Sequence, residues 1–239
     1  MSEPGNYRQI VEESERWLKK HGDRPEGVGW PVATDAPARY RVMLELIRPE
    51  HRSRVRLLDF GCGLSHLYEH IGREGIAGIE YSGLDISAAY LEISRRKHPG
   101  LTYYDIDVLE DDSALPEFDY VIMNGIFNSR VRMSQEEMFG LVRSLVARVF
   151  THARHGIAFN VMSKQVEWER EDLFHLPMDQ LAAFLAGNVS RHFVIRHDYG
   201  LYEYTTYVYR EATAPELKNA KRLVDPLGRP TAPGQEPTP

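Results

Sequence analysis

The chain of 239 residues has little of several features that define large classes of protein. It has a single cysteine, Cys62, which excludes an internal disulfide framework and a zinc site built from several cysteines. It has no apolar run near the length that spans a bilayer, and its first residues lack the basic start and apolar core of a secretory signal. We therefore expect a cytoplasmic protein without a membrane partner.

Positive charge is also scarce. Lysine and arginine number 29 against 35 acidic residues, and the formal net charge is −6. General binding to nucleic acid needs concentrated basic residues, so no nucleic-acid partner is expected. Apart from His66 and His70, the ten histidines include no H-x-x-x-H spacing, and the acidic run from Asp105 to Asp112 lacks the turn glycine of a calcium loop. No metal site is expected.

The chain does contain alternating short apolar runs and segments of helical period. The expected strands are "RVRLLDF", "YSGLDI", "LTYYDIDV", "FDYVIMN", "GIAFNVM", "RHFVIRHDY" and "YEYTTYVYR". The last two are close enough in sequence to pair as an antiparallel hairpin. Repeated βα units followed by such a hairpin predict an α/β fold: a doubly wound, mostly parallel, seven-stranded sheet with helices on both faces.

Three parts of the chain are expected. Residues 1–50 are expected to form two helices separated by the loop "GDRPEGVGWP". Together they make an N-terminal helical segment and lid that contributes to the active site. Residues 51–212 form the ligand-binding domain. Residues 213–239 are rich in proline and poor in large apolar residues, so a disordered tail is expected.

The segment "LLDFGCG" combines the end of the first strand with two glycines. Ligands of open α/β sheets bind beyond the carboxyl ends of the strands, where Gly61 and Gly63 let the backbone come close. A dinucleotide fingerprint needs a third glycine, and the chain has His66 there. A nucleoside without phosphates is the alternative, and Asp59 is compatible with a cationic amino-acid portion, directly or through water. The loop therefore favours S-adenosylmethionine (SAM) over NAD.

Four segments resemble, in order, the motifs of class I SAM-dependent methyltransferases, over roughly residues 35–210. They are "LLDFGCG", "GLDIS", "YYDIDVLE" and "FDYVIMNGIFN". The resemblance implies the following SAM-binding residues: Asp59, Gly61, Cys62 and Gly63 around the methionine portion; Asp85, followed by Ile86, at the ribose; Asp107 and Val108 at the adenine; and Asn124, Gly125 and Ile126 at the methyl donor. Asp105 competes with Asp107 for the adenine.

A narrower resemblance rests on "GVGWP", "NGIFN", "GIAFNVMS" and "RHDYGLYEYT". These segments are similar to small bacterial methyltransferases that often occur in biosynthetic and polysaccharide settings. This narrower resemblance names no substrate.

Methyl transfer requires the nucleophile, the methyl carbon and the sulfur to be held in line, with a base if the acceptor is a hydroxyl. His197 is the candidate base, because imidazole titrates near neutrality. Arg39 is a candidate for the SAM carboxylate. The expected substrate-binding residues are Trp30, Asn128, Arg130, Asn160, Asp198 and Tyr199.

The expected activity is methyl transfer from SAM to a hydroxyl or amine of a small molecule, a secondary metabolite or a sugar, by a monomer or homodimer. Transfer to RNA or protein, and binding of SAM without catalysis, remain alternatives. The segment "NGIF" stands where base-aminating enzymes have an Asn-Pro-Pro-Tyr type motif, which counts against base amination. An NAD-dependent oxidoreductase is the weakest alternative, because His66 replaces the third glycine.

Overall fold

The computed structural model describes residues 7–30 and 32–212, and the expected tail, residues 213–239, lies outside them. One mixed sheet forms the centre. Its strands are β1 (Val55–Phe60), β2 (Ile79–Leu84), β3 (Thr102–Tyr104), β4 (Phe118–Met123), β5 (Ala153–Ser163), β6 (His175–Leu176), β7 (His192–Arg196) and β8 (Glu203–Tyr209). The main order is β3-β2-β1-β4-β5-β8-β7, with β6 beside the end of β5.

The pairing of the strands confirms the predicted fold class. Strands β1 to β5 pair in parallel, and β8 runs antiparallel to both β5 and β7. The short strand β6 was not predicted; it forms because its two residues pair with Met162 and Ser163 at the end of β5. Strand β3 is shorter than predicted, because only three of its residues pair with the neighbouring β2. The segment 105–108 therefore leaves the sheet.

Helices cover both faces of the sheet. They are α1 (Arg8–His21), α2 (Ala36–Leu44), α3 (His66–Arg73), α4 (Ala88–Lys97), α5 (Gln135–Thr151) and α6 (Met178–Asn188). Helix α5 begins at a reciprocal capping box between Ser134 and Glu137, which satisfies backbone donors that a helix start leaves free. Among the described residues, no helix has the length and apolar character needed to cross a bilayer.

The strands bury alternate side chains in two apolar clusters on opposite faces. Leu58 packs in the cluster that contains Val142 of α5, whereas the adjacent Leu57 packs in the cluster that contains Met43 of α2 and Ile71 of α3. All five of these side chains except Ile71 are fully buried. Because each buried large aliphatic side chain contributes about 1.5–3 kcal/mol, the two clusters fix the sheet between its helix layers.

Candidate active site

A cavity of about 880 Å³ lies at the carboxyl edge of the parallel strands. Every residue that the sequence assigned to the cofactor contributes to its lining, and so do two of the predicted substrate-binding residues. These lining residues are Asp59, Gly61, Cys62, Gly63, Asp85, Ile86, Asp107, Val108, Asn124, Gly125, Ile126, Arg39, Trp30 and Asn128. The exposed Asp105, the alternative to Asp107, is not part of the lining.

The loop between β1 and α3 has a conformation that depends on its glycines. Gly61 and Gly63 have φ angles of +74° and +49°, in the left-handed region that glycine adopts without strain. A Cβ on Gly61 would lie 2.4 Å from Cγ2 of Ile126. The amides of Gly61 and Cys62 both donate to the carbonyl oxygen of Leu84, at 2.7 and 2.9 Å. The loop is therefore fixed against the end of β2.

Asp85 follows β2 and connects this loop to the start of α4. Its Oδ2 accepts a hydrogen bond from the amide of Gly63, and its Oδ1 accepts one from the amide of Ser87, both at 2.9 Å. Burial raises the pKa of Asp85 to about 6 against the opposing effect of these amides. Each carboxylate oxygen has a further lone pair, so the group can still accept hydrogen bonds from a ligand.

Asp59, near the end of β1, is buried behind the glycine loop. The hydroxyl of Tyr81 donates to its Oδ2 at 2.7 Å. Burial raises the pKa of Asp59 to about 7, the Tyr81 hydrogen bond opposes this rise, and the nearby Asp85 adds to it. A positively charged ligand portion would favour the ionised form of this carboxyl group, which suits an ammonium or a sulfonium.

The N-terminal helix contacts the edge of the cavity formed by β2 and β3. The hydroxyl of Tyr7 donates to Oδ2 of Asp107 at 2.7 Å, and Nη2 of Arg8 lies 3.3 Å from the same oxygen. The hydroxyl of Ser87 donates to Oε1 of Glu15 at 2.6 Å. Helix α1 is thereby bonded to the segments that follow both strands.

Glu203, the first residue of β8, is a functional candidate that the sequence analysis missed. It lines the cavity and is 1% exposed. Nε of Arg39 donates to both of its carboxylate oxygens at 2.9 Å, and Nδ2 of Asn160 donates to Oε1 at 2.8 Å. Oδ1 of Asn160 in turn accepts from the amide of Gly125 at 2.7 Å. An acid within the apolar strand "YEYTTYVYR" could have indicated this network, because a buried carboxylate needs partners.

This network changes the roles expected for Arg39 and Asn160. Arg39 lines the cavity, but its charge is paired with Glu203 and its guanidinium lies 4.2 Å from the ring centroid of Trp30. The structure therefore gives its charge a partner within the protein, and binding of the SAM carboxylate by Arg39 stays a prediction. Asn160 is fully buried and is not part of the lining. It holds the amide of Gly125, and its predicted contact with a substrate finds no support in the lining of the cavity.

Three predicted residues of the C-terminal hairpin do not reach the cavity. His197 is exposed, and its ring packs edge-on against Tyr204 with centroids 6.5 Å apart. Asp198 pairs with Arg196 at 3.0 Å, and the hydroxyl of Tyr199 lies 2.9 Å from Oγ1 of Thr205. The reason is that β7 ends at Arg196 and only the last residues of the following turn face the cavity. His197 as general base therefore stays a prediction that the lining of the cavity does not support.

Arg130 is also absent from the cavity lining, because it holds a neighbouring loop. Its Nε donates to the carbonyl oxygen of Glu171 at 2.5 Å, and its amide donates to the carbonyl oxygen of Asp172 at 3.1 Å. Its Nη1 donates to the carbonyl oxygen of Met133 at 3.0 Å. Arg130 therefore supports the segment that follows β5, and its predicted contact with a substrate finds no support in the lining of the cavity.

Metal and thiol chemistry find no support in the described part of the chain. Residues 7–30 and 32–212 contain no group of three or more histidine, cysteine or acidic side chains arranged to hold a metal ion. Cys62 is buried, and burial raises the pKa of its thiol well above the usual value. The thiolate is the reactive form of cysteine, and burial disfavours it here. Cys62 therefore fills space in the loop and is not suited to act as a nucleophile.

The comparisons with known proteins agree with this geometry. A family model described as a methyltransferase domain matches residues 58–149. A protein of Mycobacterium tuberculosis that is provisionally named a methyltransferase is 27% identical over 153 residues, 63% of this chain and 90% of that protein.

Two solved structures, both with bound SAM, have a similar fold. Magnesium protoporphyrin IX methyltransferase from Synechocystis PCC 6803 is 15% identical, with a TM-score of 0.60 and coverage of 86% of this chain and 97% of that one. Human N-acetylserotonin methyltransferase is 14% identical, with a TM-score of 0.54 and coverage of 87% and 66%. With the matched domain and the cavity at the glycine loop, these findings identify the chain as a SAM-dependent methyltransferase of the class I fold.

Proposed function

We propose that the enzyme transfers the methyl group of SAM to a hydroxyl or amine of a small molecule, in secondary metabolism or sugar modification. The observation that carries this proposal is the cavity of about 880 Å³ at the carboxyl edge of the parallel strands. It contains the glycine loop at one end and side chains from β5 and β8 at the other. Its volume is in the range of small-molecule sites. The two structural neighbours, which are named for magnesium protoporphyrin IX and N-acetylserotonin, also favour a small acceptor.

The lining residues fit SAM better than a dinucleotide. Carboxylates suit the hydroxyl and ammonium groups of SAM, and we propose Asp85 for the ribose, Asp107 for the adenine and Asp59 for the amino-acid portion. The arginines that line the cavity, Arg39 and Arg170, are each paired with a carboxylate of the protein. Neither is free to neutralise a pyrophosphate.

We further propose that residues 1–50 act as a lid on the cofactor end. The contacts of Tyr7 and Arg8 with Asp107, and of Glu15 with Ser87, support this role. These bonds join helix α1 to segments at both the adenine end and the ribose end of the proposed SAM site. A lid that is bonded at two points excludes water from the methyl group, which strengthens the electrostatic interactions inside the cavity.

Bound SAM supplies a methyl group on a sulfonium, and its departure leaves a neutral thioether. The main task of the protein is therefore alignment, which can lower the barrier by about 7–11 kcal/mol at best. Asn160 contributes by fixing the amide of Gly125, and Ile126 contributes by packing against Gly61.

Proton removal by a histidine has no support at the acceptor end. The histidines that line the described cavity are His21, which stacks on Trp17, and His66, which is bonded to Asp23. Both belong to helices at the cofactor end, α1 and α3. This arrangement favours an amine with a free lone pair, or an acidic hydroxyl, because alignment suffices for these acceptors.

Calorimetry and methyl labelling test the proposal. We expect binding of SAM and of its demethylated product, and transfer of labelled methyl into a small molecule of a fractionated metabolite extract. Binding of NAD without binding of SAM would overturn the cofactor assignment. Label in RNA or protein alone would overturn the acceptor class, and SAM binding without formation of demethylated product in any extract would identify a non-catalytic SAM-binding protein.

A variant of Asp85 gives a sharper test of the site. Asp85→Ala should weaken SAM binding at least about tenfold, because charge-assisted hydrogen bonds are lost. Asp105→Ala, at an exposed acid outside the cavity, is the matched control and should bind SAM normally. Circular dichroism and the isosteric Asp85→Asn separate loss of the ligand contact from collapse of the glycine loop. Normal SAM affinity in both Asp85 variants would remove this residue from the site.

A further inference from the structure

Exposed aromatic side chains concentrate at the mouth of the cavity. Among the described residues, the large hydrophobic side chains that are exposed include three aromatic ones: Trp17 at 39%, Trp168 at 69% and Tyr202 at 64%. All three line the cavity. Exposed single hydrophobic residues are common, but exposed aromatic side chains that line one cavity indicate a binding surface. Trp17 belongs to α1 at the cofactor end, whereas the other two follow β5 and precede β8.

Trp168 lies on a segment with a defined conformation, which we call the acceptor-end loop (residues 164–174). The loop is bonded to the segment that follows β4: Ser129 and Leu173 form an isolated bridge, and the amide of Phe174 donates to the carbonyl oxygen of Asn128 at 2.8 Å. Arg130 holds the same loop, as described above. The exposure of Trp168 is therefore not the consequence of a loosely attached segment.

Tyr202 lies next to the start of that loop. Its carbonyl oxygen accepts a hydrogen bond from the amide of Ser163, the last residue of β5, at 2.9 Å. The neighbouring Gly200 and Leu201 also line the cavity. The two aromatic residues thus come from adjacent segments at the end of the cavity formed by β5 and β8. This end lies three to four strands from β2, roughly 14–19 Å at the usual strand spacing.

The charged residues that these segments bring to the cavity are already paired. Arg170 pairs with Asp172 at 2.5 Å, and Glu203 pairs with Arg39 at 2.9 Å. A phosphorylated or strongly cationic acceptor would find no free counter-charge among them. The other lining residues of β5 and of these segments include the apolar Met162, Leu173 and Leu201. The polar side chains beside them, Asn128 and Ser129, are too few to satisfy a polyhydroxylated acceptor such as a sugar.

We infer that Trp168 and Tyr202 form the acceptor-binding surface and that the acceptor is an uncharged molecule with an aromatic ring system bearing the hydroxyl or amine that is methylated. Aromatic side chains bind such rings by offset or edge-on stacking. This inference rests on the proposed transfer to a small molecule and selects one chemical class within it. A phenol or an aryl amine also fits a site without a histidine base at the acceptor end.

Binding of a matched pair of probes tests the inference without turnover. The probes are 1-naphthol and its saturated counterpart decahydro-1-naphthol, measured by equilibrium dialysis with S-adenosylhomocysteine present. We expect the aromatic probe to bind at least about tenfold more tightly. Trp168→Ala and Tyr202→Ala should each reduce this preference at least about threefold, whereas Trp168→Phe should retain most of it. Val194→Ala, on the exposed face of the edge strand β7, is the control and should change nothing.

The outcomes separate this inference from the proposed function. Equal affinity for the two probes, including no detectable binding of either, contradicts the aromatic class, and so does an unchanged preference in both alanine variants. Labelled methyl found only in sugars or other saturated molecules overturns the inference and leaves transfer to a small molecule intact. Label in no small molecule overturns both. Label in an aromatic product, with a lower kcat/KM in Trp168→Ala and an unchanged SAM affinity, supports both.

Discussion

The buried carboxyl group of Asp59 leads to a prediction about the stability of the ligand-free enzyme. Asp59 is 4% exposed, and burial raises its pKa from 3.8 to about 7. Between these two values the native protein keeps a proton that the unfolded chain has released, so the free energy of unfolding falls as the pH rises. The stability linked to this proton is fully present below about pH 3.8 and is lost by about pH 7.

The substitution Asp59→Asn removes this titration while keeping an oxygen that can accept the hydrogen bond from Tyr81. One pKa unit corresponds to about 1.4 kcal/mol. Between pH 4.5 and pH 8 the wild-type enzyme should therefore lose about 3 kcal/mol relative to the variant. We expect Asp59→Asn to gain stability over the wild type as the pH rises, although it loses a group that we assign to SAM.

Urea denaturation of both ligand-free proteins at pH 4.5, 6 and 8 measures this difference. Asp198→Asn is the control, because its carboxylate is exposed and exposed ion pairs contribute little; the difference from wild type should stay within about 0.5 kcal/mol at each pH. A difference between Asp59→Asn and wild type that is the same at pH 4.5 and pH 8 would refute the reasoning. It would mean that Asp59 titrates normally in the native protein.

The remaining predictions concern other parts of the cavity. Because burial raises the pKa of Asp85 to about 6, its ionisation alone should raise SAM affinity about tenfold from pH 5 to pH 7. Calorimetry with Asp85→Asn should show a rise smaller than that of the wild type by about this factor, since Asp59 still titrates in the variant; equal profiles in the two proteins contradict this. Glu203→Ala should lower the free energy of unfolding by about 3–5 kcal/mol, because Arg39 stays buried without its partner, and Glu203→Gln should lower it less. Urea denaturation measures both, and a loss below about 1 kcal/mol in Glu203→Ala would argue against the network. Gly125→Ala should lower the free energy of unfolding by about 1–2 kcal/mol, because φ of residue 125 is +83° and the new Cβ would lie 2.6 Å from the Trp30 ring. The tryptophan emission should shift as the ring moves, and unchanged emission would show that the ring is not displaced.

The features that the sequence predicted well depend on short-range patterns. Alternation of strand and helix periods, the Ser134–Glu137 capping box and the glycine positions after β1 are each encoded within a few residues. The order of βα units then restricts the sheet to very few topologies. This is why the fold class and the position of the glycine loop at the cavity could be predicted.

The acceptor end could not be predicted in the same way, because it depends on contacts between distant segments. Glu203 meets Arg39 across 164 residues, and Asn160 reaches Glu203 only through the register of β5 against β8. The direction in which His197 points depends on where β7 ends and how the next turn bends. The sequence pattern contains no local information about either, so several residues predicted for the acceptor side lie outside the lining of the cavity.

The pairing of Glu203 with Arg39 also constrains how the enzyme is made. Arg39 is neutralised by the carboxylate of Glu203 in the last strand. The same carboxylate also accepts a hydrogen bond from Asn160, whose Oδ1 holds the amide of Gly125. During synthesis on a ribosome, this part of the cavity can therefore form only after residue 203 has emerged. A nascent chain that lacks β8 would carry an uncompensated guanidinium in its interior, so catalytic competence arrives late in translation.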